Sequence, residues 1–291
     1  MEECLICKSK NTKVYKTQVS EFIVERMLAG EDKTTNLIHC LDCGFAYYSY
    51  RPNDYEMKKL YKNYRDEEYQ KLRQKYEQWY TPEINNLIGD SRIAHKNREK
   101  NLTSILKKYV DIASIKEVLD YAGDKGQHIP TVFSSANKYV YDISGIEVIE
   151  GVQRLTTVNT TSRFDFIMCC HLLEHVSSPQ QIIETLRKLL EERGYLYIEL
   201  PFDSPFYSNK FNNLQFLFNK YFKISTLIKT FLKQKKQKLM KPMHEHINFY
   251  TNSSIERLLA DNNFEILYSS KCQFDSEWCN SKVISVLARK K

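Results

Sequence analysis

Four cysteines form two pairs, Cys4 with Cys7 in CLIC and Cys40 with Cys43 in CLDCG, each with two residues between its members. That spacing lets both sulfurs of a pair point at one ion, so the two knuckles read as four thiolates around a single zinc. Four protein ligands leave no position for water, which makes the metal structural. Gly44 after the second pair permits the tight turn of a knuckle, whereas Lys8 stands at that place in the first. The 32 residues between the knuckles contain the strand-like stretches TKVYKTQV and TNLIHC, as a zinc ribbon would. Cys169 and Cys170 lie in an apolar run and read as core.

A second chemical signal is VLDYAGDKGQHIP, residues 118–130. Asp120 closes a short apolar strand, and Ala122, Gly123 and Gly126 shape the turn that follows. Asp142 comes 22 positions later, at the end of the strand YVYDIS. An acid in that place can accept hydrogen bonds from both hydroxyls of a ribose. A dinucleotide fingerprint needs three spaced glycines to admit a pyrophosphate, and this turn lacks them. Two strand-end acids and a tight turn suit a nucleoside cofactor without phosphates.

These residues need a sheet to position them. IKEVLDYA, YVYDIS, FDFIMCC and GYLYIELP read as strands, helical stretches such as SPQQIIETLRKLLEER separate some of them, and FEILYSSKCQF and KVISVLARK follow as an antiparallel hairpin finishing the sheet. This alternation argues for an α/β, Rossmann-like, mostly parallel sheet over residues 113–291. A zinc-ribbon module, residues 1–51, and a tyrosine-rich helical linker or lid, residues 52–112, precede it. Tyr61, Tyr64, Tyr69, Tyr76 and Tyr80 recur there near helical spacing, to pack on the main domain or to close over a ligand. A basic insertion, 201–243, ends in KQKKQK and reads as a solvated helix, a lid for a diphosphate-bearing sugar, or a peripheral membrane contact.

In order, VLDYAGDKGQHIP, YVYDIS, FDFIMCCHLLEHVSSPQQIIETLRKLLEERGYLYIELP and HEHINFYTNSSIERLLADNNFEI resemble the class I S-adenosylmethionine-dependent methyltransferases. With the zinc knuckles, the HEH segment narrows the resemblance to the zinc-containing sugar C-methyltransferase family. The resemblance implies a seven-stranded sheet with an antiparallel last strand and S-adenosylmethionine held by Asp120, Ala122, Gly123, Gly126, Asp142, Ile143 and His171. It also implies structural Zn2+ on Cys4, Cys7, Cys40 and Cys43, and a sugar acceptor that is nucleotide-linked or a cell-surface polysaccharide precursor. Of the family's D-x-G-x-G-x-G turn only the last glycine stands, at Gly126, with Gly123 added. The family's Tyr-x-Glu-His segment, which serves near the acceptor, corresponds to Glu245 and His246, with Met243 at the tyrosine position.

Methyl transfer is an in-line displacement that also requires a proton to leave the acceptor, a task that suits a histidine near neutral pKa. His246, with Glu245 orienting its ring or binding a substrate hydroxyl, and His171 are the catalytic candidates. His175 is a third, and Glu174 beside it reads as cap or packing. Two other readings stay open: a zinc-ribbon RNA methyltransferase, and a methyltransferase fold turned to binding.

The 291 residues are 42% hydrophobic and 13% aromatic, enough for one substantial core and a smaller appendage. The polar start MEECLICKSK and the lack of any run of about 18 apolar residues lead us to expect a soluble, cytoplasmic protein. The net charge is +7, but the lysines cluster locally, so the whole-chain figure does not make this a nucleic-acid binder, and the partner expected from the resemblance is a small-molecule sugar or nucleotide-sugar. Elemental analysis should find one thiolate-bound zinc per chain, and Cys40→Ser should lose it and leave the N-terminal module unstable.

Overall fold

A computed structural model of the chain describes residues 2–31, 33–88, 91–144, 146–159, 162–206, 240–275 and 280–291. The KQKKQK tract of the basic insertion, expected as lid or membrane contact, lies outside the described residues. None of the described helices is long and apolar enough to cross a membrane.

The chain opens with β1 (Thr12–Gln18), α1 (Glu21–Met27), β2 (Thr34–Cys40) and β3 (Ala46–Tyr48). The tyrosine-rich stretch forms four helices: α2 (Asp54–Tyr61), α3 (Glu67–Tyr76), α4 (Pro82–Leu87) and α5 (Arg92–Tyr109). Each begins where the sequence supplies a cap: Asn53, Asp66, Thr81 and Ser91 accept from backbone N–H groups of the first turn. Then follow β4 (Glu117–Tyr121), β5 (Asn137–Tyr141), β6 (Gln153–Leu155), β7 (Phe164–Cys170), α6 (Pro179–Leu189) and β8 (Leu190–Pro201). The chain ends with β9 (Asn248–Phe249), α7 (Asn252–Asp261), β10 (Phe264–Asp275) and β11 (Asn280–Lys290).

The main sheet has seven strands in the order β10-β11-β8-β7-β4-β5-β6. β4 to β8 run parallel, and β11 is antiparallel to both neighbours. The last strand lies between β8 and β10, and the expected hairpin finishes the sheet with β10 as its edge strand. α5 presents Leu102, Ile105 and Leu106, one face at helical spacing, to Val118, Phe166, Met168 and Tyr197. The opposite face of the sheet carries Leu119, Ile167, Cys169 and Ile198 against α6, α7 and the knuckle cysteines. Cys169 and Cys170 are buried in β7, as their apolar surroundings require. The connection from β4 to β5 holds only a short 3-10 turn, Thr131–Phe133, whose Phe133 ring lies 4.9 Å from Phe166.

A second sheet, β1-β2-β3-β9, joins the N-terminal module to the segment after the insertion: Ala46 pairs with Phe249 and Tyr47 with Asn248. Tyr69 and Tyr80 are fully buried against Phe22, Met27, Tyr48, Met243 and Ile247. α2, α3 and α4 thus pack on the N-terminal module, because α1 and residues 243–249 offer the apolar face nearest to them, whereas α5 packs on the parallel sheet.

Arg51, just after β3, crosses to the loop behind β7 and donates to Val176 O at 2.6 Å and to Ser177 O at 2.8 and 3.0 Å. Removing a charged donor from carbonyls this enclosed costs roughly 1.5–3 kcal/mol. Arg51→Ala should lower the free energy of urea unfolding by about 2 kcal/mol, with Arg51→Lys recovering only part of it.

Candidate active site

The turn after β4 keeps a glycine backbone with few glycines. Ala122 has φ 62°, Asp124 φ 56° and Gly126 φ 79°, all in the left-handed region. A side chain there costs about 1–2 kcal/mol, so the surrounding structure must hold the turn. Part of that hold is visible: Asp124 N donates to Asp142 Oδ2 at 3.0 Å, and Ala122 N to Tyr141 O at 2.7 Å. Gly123 is required for another reason, since a Cβ there would lie 2.1 Å from Asp120 Cγ.

Beneath that glycine Asp120 is 1% exposed, and neither of its carboxylate oxygens has a hydrogen-bond partner. Burial raises its pKa to about 7; Arg98 opposes the shift, and Asp142 and Asp124 add to it. An unsatisfied acid in a cradle that admits no Cβ fits a ligand that brings a cationic amine. Asp142 is half-buried, and its Oδ1 also accepts from Ser144 N at 2.7 Å. Each of its oxygens keeps lone-pair capacity for a further donor. Ile143 beside it is 74% exposed, an apolar side chain at the rim of the same edge.

His171 follows β7 with φ 54° and joins this edge. Its Nε2 lies 3.1 Å from Glu199 Oε1, at the end of β8, and its Nδ1 lies 3.3 Å from Glu174 Oε1. Burial lowers its pKa, but the two carboxylates outweigh that and bring it up to about 9. A histidine holding its proton is a poor base, so the structure places His171 as a cation at the cofactor edge and not as the proton acceptor. Arg98 of α5 shares the same Glu199 oxygen at 2.6 and 2.8 Å.

His246 lies on a cavity of about 590 Å³ whose lining includes Tyr48, Arg73, Tyr76, Trp79, Asp203 and Lys241. Its Nδ1 stands 3.5 Å from Asp203 Oδ2, and its ring centre is 4.9 Å from that of His175. Glu245 does not orient it. That carboxylate is buried, accepts from Tyr69 OH at 2.5 Å and Arg73 Nη1 at 3.0 Å, and is held down at about 2, burial being outweighed by Arg73 and its other neighbours. The role expected for Glu245 therefore passes to Asp203. Sequence reasoning missed Asp203, Glu199 and Arg98. The first two follow or end the strand GYLYIELP, where an open sheet presents its ligand edge, and that position was the available signal.

The four knuckle sulfurs lie within 4.8 Å of one another, with Cys4 and Cys43 3.6 Å apart and Cys7 and Cys40 3.5 Å apart. A tetrahedron with zinc–sulfur bonds of about 2.3 Å has edges near 3.8 Å, so this donor set fits one zinc. Lys8 at φ 60° adopts the same left-handed turn as Gly44 at φ 74°.

The profile of the family described as methyltransferase domain matches residues 93–269. The chain belongs to this methyltransferase family. The match takes in Asp120, Asp142, His171, Asp203 and His246, and leaves the four knuckle cysteines, Arg73 and Trp79 outside it. Over 50 residues the chain is 38% identical to a ubiquinone biosynthesis O-methyltransferase of Glaesserella parasuis serovar 5 (strain SH0165), a stretch covering 17% of this chain and 21% of that protein. Among solved structures it is similar to magnesium protoporphyrin IX methyltransferase from Synechocystis PCC 6803 with bound SAH. That pair shares 15% identity over 70% of this chain and 86% of the other, with a TM-score of 0.44. It is also similar to an N-methyltransferase from Bradyrhizobium japonicum WM9, with 12% identity, 67% and 86% coverage, and a TM-score of 0.41.

Within this methyltransferase edge, the raised pKa of Asp120 makes a stability prediction. An aspartate's ordinary value is 3.8 and its folded value here about 7, so the favourable contribution is complete below 3.8 and is lost as pH rises to 7. Asp120→Asn should therefore stabilise the ligand-free protein at pH 8 by about 1–3 kcal/mol in urea unfolding, a gain that should vanish near pH ~4.

Proposed function

We propose that the protein transfers the methyl group of S-adenosylmethionine to a sugar, nucleotide-linked or part of a cell-surface polysaccharide precursor, that sits in the cavity beside His246. The observation that carries this reading is the orphaned Asp120 carboxylate under the Gly123 turn in a chain of the methyltransferase family. Asp120 would meet the ammonium of the cofactor, Asp142 its ribose, Ile143 the face of its base, and the backbone from Ala122 to Gly126 its close approach. Bound there, the cofactor supplies an electrophilic methyl carbon on a sulfonium.

The cavity suits a sugar. Trp79 is 44% exposed and offers a flat apolar face, while Lys75 and Lys241 stand on the lining where a phosphate would be met. His246 is the group through which the acceptor is activated: its imidazole takes the acceptor's proton, and Asp203 holds the ring. The four cysteines hold a structural zinc that keeps the N-terminal module folded against the sheet.

Calorimetry with S-adenosylhomocysteine should show binding to the wild type, weakened about tenfold or more in Asp142→Ala. With methyl-labelled cofactor and a panel of nucleoside-diphosphate sugars, His246→Ala should lower turnover about a hundredfold or more without changing cofactor affinity. No heat with the wild type would overturn the methyl-transfer reading, and normal turnover in His246→Ala would overturn the role of that histidine.

A further inference from the structure

One group of side chains converges without sufficient protein partners and is used by neither the cofactor edge nor the thiolates. Glu174, His175 and His246 each offer one atom, and these atoms lie within 4.8 Å of one another. Glu174 is 1% exposed, and neither of its oxygens makes a hydrogen bond. Its nearest charged neighbours are His171 Nδ1 at 3.3 Å and His175 Nε2 at 3.9 Å. His171 compensates this buried carboxylate from one side, and a cation on the side of His175 and His246 would do so from the other.

The ring of His175 is fixed from the side away from Glu174. His175 Nδ1 lies 3.0 Å from the carbonyl oxygen of Glu245 and 3.0 Å from Tyr61 OH. A carbonyl can only accept, so Nδ1 carries the proton and donates it, and Nε2 keeps its lone pair on the side of Glu174. Asp203 near Nδ1 of His246 favours the proton there in the same way. A ring whose far nitrogen is tied to a carbonyl or a carboxylate is the usual support of a metal-ligating histidine.

We propose that Glu174, His175 and His246 form a second metal site, for a divalent cation that accepts imidazole and carboxylate together, such as Mn2+. Two imidazoles and one carboxylate leave open positions on such an ion. His246 belongs to the cavity lining, so those positions face the acceptor and suit a substrate with two neighbouring oxygens. The inference rests on the reading of His246 as the activating group and changes how it acts: the histidine would hold a Lewis acid that lowers the pKa of the acceptor's hydroxyl, whose proton would pass to solvent water as the oxygen takes the methyl group from the sulfonium.

The test uses the full chain, its zinc content first fixed by elemental analysis, with Mn2+ titrated in and the free ion followed by electron paramagnetic resonance. One Mn2+ per chain is expected in addition to the zinc, with affinity falling about tenfold or more in Glu174→Gln and separately in His246→Ala. His246 is half-exposed, so His246→Ala should keep its melting transition and remain informative if Glu174→Gln does not fold. No Mn2+ bound at millimolar concentration, or wild-type affinity in folded His246→Ala, overturns the site. In that case, turnover that still depends on His246 in chelator would leave the imidazole as base. Loss of S-adenosylhomocysteine binding would instead count against methyl transfer itself.

Discussion

The active site depends on one small piece of backbone pairing, Asn248–Phe249 against β3. Two residue pairs are too few to hold a strand, yet the segment is bound from its other side as well. Asn248 Nδ2 donates to Leu173 O and Val176 O, both at 2.8 Å, and the N–H groups of Ile247 and Asn248 donate to Glu174 O at 2.8 and 3.0 Å. The N-terminal module, the loop after β7 and the segment carrying His246 are thereby tied into one buried hydrogen-bond network. Arg51 closes it from the module, and Thr251, which caps α7, donates to Cys43 O at 2.7 Å. The thiolate module is thus built into the wall of the active site, and a loss of its fold would be felt at His175 and His246.

Around this frame the strand ends carry an alternation of acids and cations. Arg98, Glu199, His171 and Glu174 succeed one another at 2.6, 3.1 and 3.3 Å. The charges alternate in sign along this row, which α5, β8 and the loop after β7 supply. Asp120 is the member left without a donor, and Glu174 the one whose neighbours do not hydrogen-bond to it. Strain collects in the same place. The left-handed residues Ala122, Asp124 and His171 all lie at the edge of β4 and β7, held by cross-strand hydrogen bonds at the expense of local backbone preference.

Local order was legible in the sequence wherever a feature repeats over a few residues. Two cysteines three apart and an apolar run ending in an acid each act through neighbours, so the knuckles, β4, β5 and β7 follow from spacing alone. The turn at residues 122–126 shows the limit of that logic. Its missing glycines suggested an altered backbone, but φ is decided by the whole environment, and Asp142 holds Asp124 in the glycine conformation.

Contacts between distant segments were decided only by the tertiary structure. Nothing near Glu245 announces that Tyr69 and Arg73, more than 170 positions earlier, take its carboxylate, and that Asp203 is left to His246. The same holds for Glu174, whose position one turn after a strand looks like a cap until His175 and His246 are seen beside it. Sequence determined which residue types stand at the strand ends and knuckles, because those depend on periodicities of two and three or four residues. Which acid meets which base depends on how the tyrosine helices and the β3–β9 pairing fold back on the sheet, and that is set by burial of side chains far apart in the chain.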